Sequence, residues 1–142
     1  MSDPAALARE HVLDAHAETV EAVLNCADAV AAEWDGDAAT SRRDVAPPLR
    51  DALTAAGVLA RLPDVLAGVV EAAGFSLPAT PVAGPPYVAV TSEGPLLRAT
   101  VSAGRLVVAF EVFAVERGGN VGPPRYVRAA RTQDAAVRAR LR

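Results

Sequence analysis

The sequence contains no lysine, because all fourteen of its basic residues are arginine. Aromatic residues are also scarce, at 4% of a chain that is 51% hydrophobic. We therefore expect a core of alanine, valine and leucine, and few aromatic surfaces on which a nucleic-acid base or a sugar could stack. A chain of 142 residues fits one domain, and it can bury enough surface to fold without disulfides or structural metals.

Cysteine is nearly absent, since Cys26 is the single thiol in the sequence. One thiol excludes an internal disulfide framework and is typical of a reducing compartment. The first residues are acidic and lack the apolar stretch of a secretory signal. The longest apolar run, residues 106–115, is interrupted by Glu111 and is much shorter than the roughly 20 residues that span a bilayer. These features predict a cytoplasmic protein with no membrane partner.

The first half of the sequence has the apolar spacing of helices. Residues 3–34 carry apolar side chains at intervals of three and four in a seam that includes His16, which predicts one long helix capped by Ser2 or Asp3. Two short helices are predicted to begin at Pro47 and Pro63, and both end in Ala-Ala-Gly. Glycine after the last turn suits a left-handed helix terminus.

The period changes to two after a proline-rich connector at residues 76–86. We predict four strands joined by short turns and by a hairpin loop at Gly118–Pro124, which are Tyr87–Thr91, Leu96–Ser102, Arg105–Glu116 and Arg125–Ala130. Residues 105–116 are apolar on both faces, which is typical of a central strand. Short turns allow only antiparallel hairpins and therefore favour a meander.

The end of the chain leaves two alternatives open. Apolar and arginine residues alternate over residues 137–142, which favours an amphipathic edge strand, whereas a last helical turn from Gln133 is the alternative. The prediction is thus a single α+β domain. Its N-terminal helices, one long and two short, occupy residues 1–75 and pack on a four- or five-stranded antiparallel meander sheet at residues 87–142.

Charge is divided unequally between the two halves. Residues 1–75 hold thirteen acidic residues and five arginines, whereas residues 76–142 hold four acidic residues and nine arginines. The basic residues are concentrated at the C-terminus, where Asp134 is the single carboxylate near them. The arginines that we predict to form an interaction surface are Arg125, Arg128, Arg138, Arg140 and Arg142.

Motifs with chemical meaning are absent from the sequence. His11, Asp14 and Glu18 have a spacing that a metal site could use, but no second cluster completes it, because His16 is predicted to face the opposite side of the helix. His16 is predicted to be a buried neutral imidazole, and Cys26 a small core residue. We therefore predict no catalytic residue, no cofactor and no metal.

Glu111 is the one charge inside the predicted central strand. If residues 103 and 104 form a two-residue turn, Arg98 is the diagonal neighbour of Glu111 on the next strand. A cross-strand Arg98–Glu111 pair would then satisfy both charges. The alternative is that Glu111 marks a polar spot on a ligand-facing sheet surface, because a lone carboxylate among apolar residues needs a partner.

Three functions remain open on this basis. The favoured one is a non-enzymatic interaction module that binds a protein partner, with self-association through the sheet as the first candidate. A nucleic-acid accessory role of the C-terminal arginines is less favoured, because the whole chain is acidic and little is available for stacking. The third is a small-molecule binder or enzyme with a pocket near His16 and Glu111.

Four segments resemble one known family, and they are Leu24–Asp28, Pro85–Val88, Gly94–Thr100 and Pro124–Arg128. The chain resembles short uncharacterised haloarchaeal proteins that share a domain of unknown function. The absence of lysine is similar to that group as well. The resemblance implies no activity.

Overall fold

The protein is an α+β structure in a computed structural model that describes residues 3–117 and 122–142. Its helices are α1 (Pro4–Ala15), α2 (Ala17–Ala32), α3 (Ala46–Ala55), α4 (Val58–Ala72) and α5 (Gln133–Ala136). Its strands are β1 (Ala38–Ala39), β2 (Val88–Val90), β3 (Pro95–Val101), β4 (Gly104–Phe110), β5 (Phe113–Glu116), β6 (Arg125–Arg128) and β7 (Val137–Leu141). The predicted α+β class is confirmed, whereas most of the predicted loop at 118–124 lies outside the described residues.

The first predicted helix is two helices. Asp3 caps α1, as predicted, by accepting a hydrogen bond from the amide of Ala5. His16 then leaves the helical conformation, with φ −124° and ψ 28°, and separates α1 from α2. The prediction of one continuous helix is wrong because the two pieces cover different neighbours. Helix α1 packs on α4, β4 and β7, whereas α2 packs mainly on α3 and also on α4, α5 and β6.

Helices α3 and α4 meet at a sharp bend of 87°. The predicted start of α3 is confirmed to within one residue, but α4 begins at Val58 and contains Pro63 in its interior. Gly74 ends α4 with φ +91°, and the Phe75 amide donates to the Val70 carbonyl, as in a Schellman motif. The predicted left-handed glycine at this helix end is therefore confirmed.

Four strands form the larger sheet, in the antiparallel order β2-β3-β4-β7. Strand β4 lies inside the sheet, as predicted, and β7 is an edge strand. Both alternatives for the C-terminus occur, since the short helix α5 leads directly into β7. Helices α1, α3 and α4 pack on one face of this sheet, which gives the two-layer architecture.

The remaining strands form a second antiparallel sheet, in the order β1-β6-β5. The prediction of one meander is therefore wrong, and so is the prediction of one strand over residues 105–116. The chain leaves the larger sheet after Phe110 and enters the smaller one at Phe113. Gly94 permits this crossing, because a Cβ there would lie 1.8 Å from the Phe110 carbonyl oxygen.

No single helix of the described residues is long and apolar enough to cross a bilayer. The segments 42–55 and 58–72 have the required length and apolar composition only when they are taken together, and they are bent by 87° relative to each other. Their apolar residues Leu49, Leu53, Leu62 and Leu66 are buried in the protein core.

Candidate interaction surface

The two faces of the larger sheet differ in burial. Alternate residues of β3 and β4, such as Leu97, Ala99, Leu106 and Val108, are buried in the core beneath the helices. The intervening residues are half-buried or exposed. Since side chains alternate between the faces of a strand, the second set forms a face that no helix of the described chain covers.

The helix-free face is dominated by arginine. Cross-strand pairs place Leu96, Ala109 and Arg138 in one row, and Arg98, Val107 and Arg140 in the next. A third row contains Arg105 and Arg142, whose backbones exchange hydrogen bonds of 2.9 Å in both directions. We call this surface, whose charged residues are Arg98, Arg105, Arg138, Arg140 and Arg142, the arginine face. Its centre is apolar and half-buried, and consists of Leu96, Val107 and Ala109.

Glu111 is the one carboxylate that contacts this face in the described residues. Its Oε2 atom lies 2.8 Å from Nε of Arg138, and its Oε1 atom lies 3.8 Å from Nη2 of Arg140. The predicted Arg98–Glu111 pair is wrong. The turn between β3 and β4 consists of residues 102 and 103 instead of 103 and 104, which shifts the register by two and pairs Leu96 with Ala109.

Arg98 has a different neighbourhood from the predicted one. It is half-buried, its backbone amide donates to the carbonyl of Tyr87, and its Nε donates to the Pro86 carbonyl at 3.4 Å. Tyr87 is therefore the aromatic residue next to the arginine face on its β2 side. Neither Arg98 nor Arg105 was predicted to belong to the interaction surface, because the pairing of β4 with β7, which brings the C-terminal arginines to the same face, was not predicted.

Arg128 is not part of a surface at all, because only 5% of its side chain is exposed. Its Nη1 donates to the carbonyls of Val112 and Ala130 at 2.6 and 2.8 Å, and its Nε contacts Asp28 of α2 at 3.0 Å. The guanidinium also lies 5.9 Å from the ring centre of Phe113. Arg128 thus joins the smaller sheet to α2, and the prediction that it is available to a partner is wrong.

Other arginines make contacts nearer the edges of the molecule. Arg125 lies 3.6 Å from Glu116 across the smaller sheet, and Arg131 lies 3.8 Å from Asp28. Arg9 donates from Nε to the Val137 carbonyl at 2.9 Å and also contacts Asp134. Of the five arginines in the predicted surface, Arg138, Arg140 and Arg142 therefore lie together, whereas Arg125 and Arg128 lie in the smaller sheet.

The two histidines lie side by side instead of on opposite faces. The break at His16 brings its ring to 5.1 Å from that of His11, in an edge-to-face arrangement. A Cβ on Gly68 would lie 2.7 Å from Nε2 of His11 and 3.4 Å from Nε2 of His16, so both rings rest on α4 where it has no side chain. Burial lowers the pKa of His16, the charge of His11 lowers it further, and Asp64 opposes both.

Cavities and reactive groups give little sign of chemistry. Glu111 and Arg138 line a groove of about 510 Å³ that is floored by Phe113 and Ala130. The sequence suggested a pocket near both His16 and Glu111, but His16 packs on α4 and does not line this groove. Cys26 is buried, as predicted, and burial raises the pKa of its thiol. In the described part of the chain, no three His, Cys, Asp or Glu side chains could hold a metal ion together.

Exposed carboxylates are concentrated in α1, α2 and the loop that follows α2. Residues 10–41 contain eight acidic residues and no arginine. All eight are exposed, and they are Glu10, Asp14, Glu18, Glu21, Asp28, Glu33, Asp35 and Asp37. We call this set the acidic surface. Because α1 packs on the inner side of the larger sheet, the acidic residues of α1 and the arginine face lie on opposite sides of that sheet.

Comparison with known proteins identifies the family but no activity. The profile of a protein family described as "Domain of unknown function (DUF7988)" matches residues 6–142. The chain therefore belongs to this family, as the resemblance of its four segments indicated; a haloarchaeal origin stays a prediction. No curated protein and no solved structure matches the chain.

Proposed function

We propose that this protein is a non-enzymatic interaction module that binds an acidic protein surface through the arginine face. The observation that carries the proposal is the composition of the helix-free side of the larger sheet. It combines five arginines with the single contacting carboxylate of Glu111 in the described residues. A positive field of this kind attracts negatively charged partners and steers their approach.

An acidic protein fits this face better than a nucleic acid does. Leu96, Val107 and Ala109 form an apolar centre inside a rim of arginines, which is the usual anatomy of a protein–protein interface. Nucleic-acid binding sheets stack bases on aromatic residues, and Tyr87 is the aromatic residue at the margin of this face.

Charge argues against a symmetric dimer that pairs two arginine faces. Such an interface would be isologous, so each arginine cluster would meet a second copy of itself. Like charges in contact are unfavourable, and the lone Glu111 of each copy could not compensate for five arginines. Self-association through the sheet, which the sequence suggested, therefore needs an acidic surface on the other side of the contact.

Binding of acidic peptides tests the proposal. We expect poly-glutamate to bind at low ionic strength, to lose affinity steeply with salt, and to bind at least tenfold more weakly to the variant Arg105→Gln/Arg140→Gln. The matched control is Arg50→Gln/Arg61→Gln, which removes the same charge from exposed positions of α3 and α4 and should retain the affinity. Equal loss in both variants would show that net charge, and not this face, attracts the peptide.

A single-stranded RNA of mixed sequence measured in parallel separates the nucleic-acid alternative. If RNA binds more tightly than poly-glutamate and Arg105→Gln/Arg140→Gln abolishes that binding, the face belongs to a nucleic-acid accessory protein and the proposal is wrong. The sequence-based alternative of a small-molecule pocket near His16 and Glu111 stays a hypothesis. A ligand in such a pocket would shield both His16 and Glu111 from solvent when it binds.

A further inference from the structure

We infer that the acidic partner of the arginine face is the acidic surface of a second copy of this chain, so that the protein associates head to tail. The inference rests on the proposed function and names its partner. The same chain carries both surfaces, with five arginines on one side of the larger sheet and eight exposed carboxylates in residues 10–41.

The position of the two surfaces prevents them from satisfying each other within one molecule. The arginine face looks away from the helices, whereas α1, which carries Glu10 and Asp14, packs on the other side of the same sheet. In the described residues, the arginines of the C-terminal half that contact the acidic surface are Arg128 and Arg131, which lie 3.0 and 3.8 Å from Asp28. The five arginines of the face remain on the far side of the molecule.

This arrangement determines the symmetry of the assembly. A contact between different surfaces is heterologous, so a pair of bound copies still presents one free arginine face and one free acidic surface. The assembly therefore grows with protein concentration into a ring or a linear series of copies, and it does not stop at a two-fold dimer. Because the contact is mainly electrostatic and exposed, we expect it to weaken as salt shortens the screening length from about 30 Å at 10 mM to about 3 Å at 1 M.

Two neutralising variants test the inference. Arg105→Gln/Arg140→Gln weakens the arginine face, and Glu10→Gln/Asp14→Asn weakens the acidic surface on α1. Asp14 lies in the last turn of α1, where a negative charge opposes the helix dipole, so its neutralisation should not destabilise the helix. Circular dichroism and thermal melting check that each variant folds, and Arg50→Gln/Arg61→Gln is the control.

Sedimentation equilibrium at low salt provides the measurement. We expect the average mass of the wild-type protein and of the control to rise with concentration and to fall to the monomer value in 1 M salt. Each neutralised variant alone should associate at least tenfold more weakly. An equimolar mixture of the two variants should form a 1:1 dimer that does not grow further, because it contains one intact arginine face and one intact acidic surface.

Every other outcome overturns the inference. A strictly monomeric wild-type protein at low salt excludes self-association, and the proposed function would still stand if poly-glutamate binds to that monomer. A variant that associates as strongly as the wild-type protein shows that its surface is not used. A mixture in which no dimer forms, although each variant alone is monomeric, shows a symmetric contact instead of a head-to-tail one.

Discussion

Arg128 and Arg140 belong to the same arginine-rich segment, yet the fold gives them opposite roles. The Arg128 side chain is 5% exposed and donates to three backbone carbonyls and to Asp28. The Arg140 side chain is 50% exposed, and its closest ionic contact is Glu111 at 3.8 Å. Arginines that are close in sequence therefore do not necessarily share one surface. Whether an arginine faces the interior or the solvent depends on the strand that carries it and on the elements that pack against that strand.

The largest expected difference between the two arginines is in stability. Arg128→Ala should lower the free energy of unfolding by about 2 kcal/mol, because it removes a buried guanidinium that donates to the carbonyls of Val112 and Ala130 and leaves the Ala130 carbonyl without this donor. Arg140→Ala should change that free energy by less than about 0.5 kcal/mol, as exposed ion pairs contribute little. Urea denaturation measures both. Similar losses in the two variants would contradict the distinction between a buried and an exposed arginine.

The variant Asp28→Asn separates two contributions of Arg128 to stability, which are its ion pair with Asp28 and its hydrogen bonds to backbone carbonyls. The Asp28 side chain is 56% exposed, so solvent and salt screen its charge. Asp28→Asn should therefore cost less than Arg128→Ala, about 0.5–1 kcal/mol of the free energy of unfolding, and the loss should shrink in 1 M salt. Denaturation at two salt concentrations tests this. A loss as large as that of Arg128→Ala would mean that the carboxylate, and not the carbonyls, holds the guanidinium in place.

The variant Glu111→Gln removes a carboxylate from the arginine face in the same way that Asp28→Asn removes one from Arg128. Glu111→Gln removes the carboxylate that contacts Arg138 at 2.8 Å and Arg140 at 3.8 Å. We expect stability to change by less than about 0.5 kcal/mol, whereas the affinity of the face for poly-glutamate should rise about threefold, since the field of the face becomes more positive. Titration calorimetry measures the affinity. An unchanged or lower affinity would show that Glu111 organises these arginines for binding.

The smallest expected effect concerns pH, and it comes from a histidine instead of from the arginines. His16 is different, since burial, and then the charge of His11, lower its pKa from 6.5. The unfolded chain therefore binds more protons than the folded one in the window below pH 6.5. The contribution of His16 to stability is complete above that pH and is lost as the pH falls through the lowered pKa.

Chemical denaturation between pH 7 and 5 measures this contribution. His16→Gln should flatten the pH dependence of the free energy of unfolding over that range, and Arg140→Ala should leave the dependence unchanged. If His16→Gln retains the full dependence, other groups are responsible for it.

Some of the architecture follows directly from local sequence patterns. The periodicity of three to four before Gly74 and of two after Pro86 identified the helical and strand regions, because amphipathic spacing is a local property. The alternation of arginine with apolar residues after Val137 identified β7 as an edge strand. Asp3 and Gly74 marked helix ends through their own capping chemistry.

The predictions of one long first helix and of one strand over residues 105–116 failed because one continuous apolar pattern there covers two segments with different packing partners. The apolar seam continues through His16 although α1 packs mainly on α4 and β7 and α2 mainly on α3. The strand pattern likewise continues through Glu111, although the chain passes there from one sheet to the other. In both segments the apolar spacing continues on either side of one polar residue, and only the packing partners reveal the break.

The sequence by itself determined that this protein has helices followed by antiparallel strands, a core of small aliphatic residues and a chain of two oppositely charged halves. Only the tertiary structure decided which arginines share a surface. The pairing of β4 with both β3 and the C-terminal strand β7 placed Arg98 and Arg105 on one face with the arginines of β7, and the smaller sheet buried Arg128 against α2. The physical reason is that periodicity and capping act within a few residues, whereas strand register and burial depend on contacts between segments that are distant in sequence.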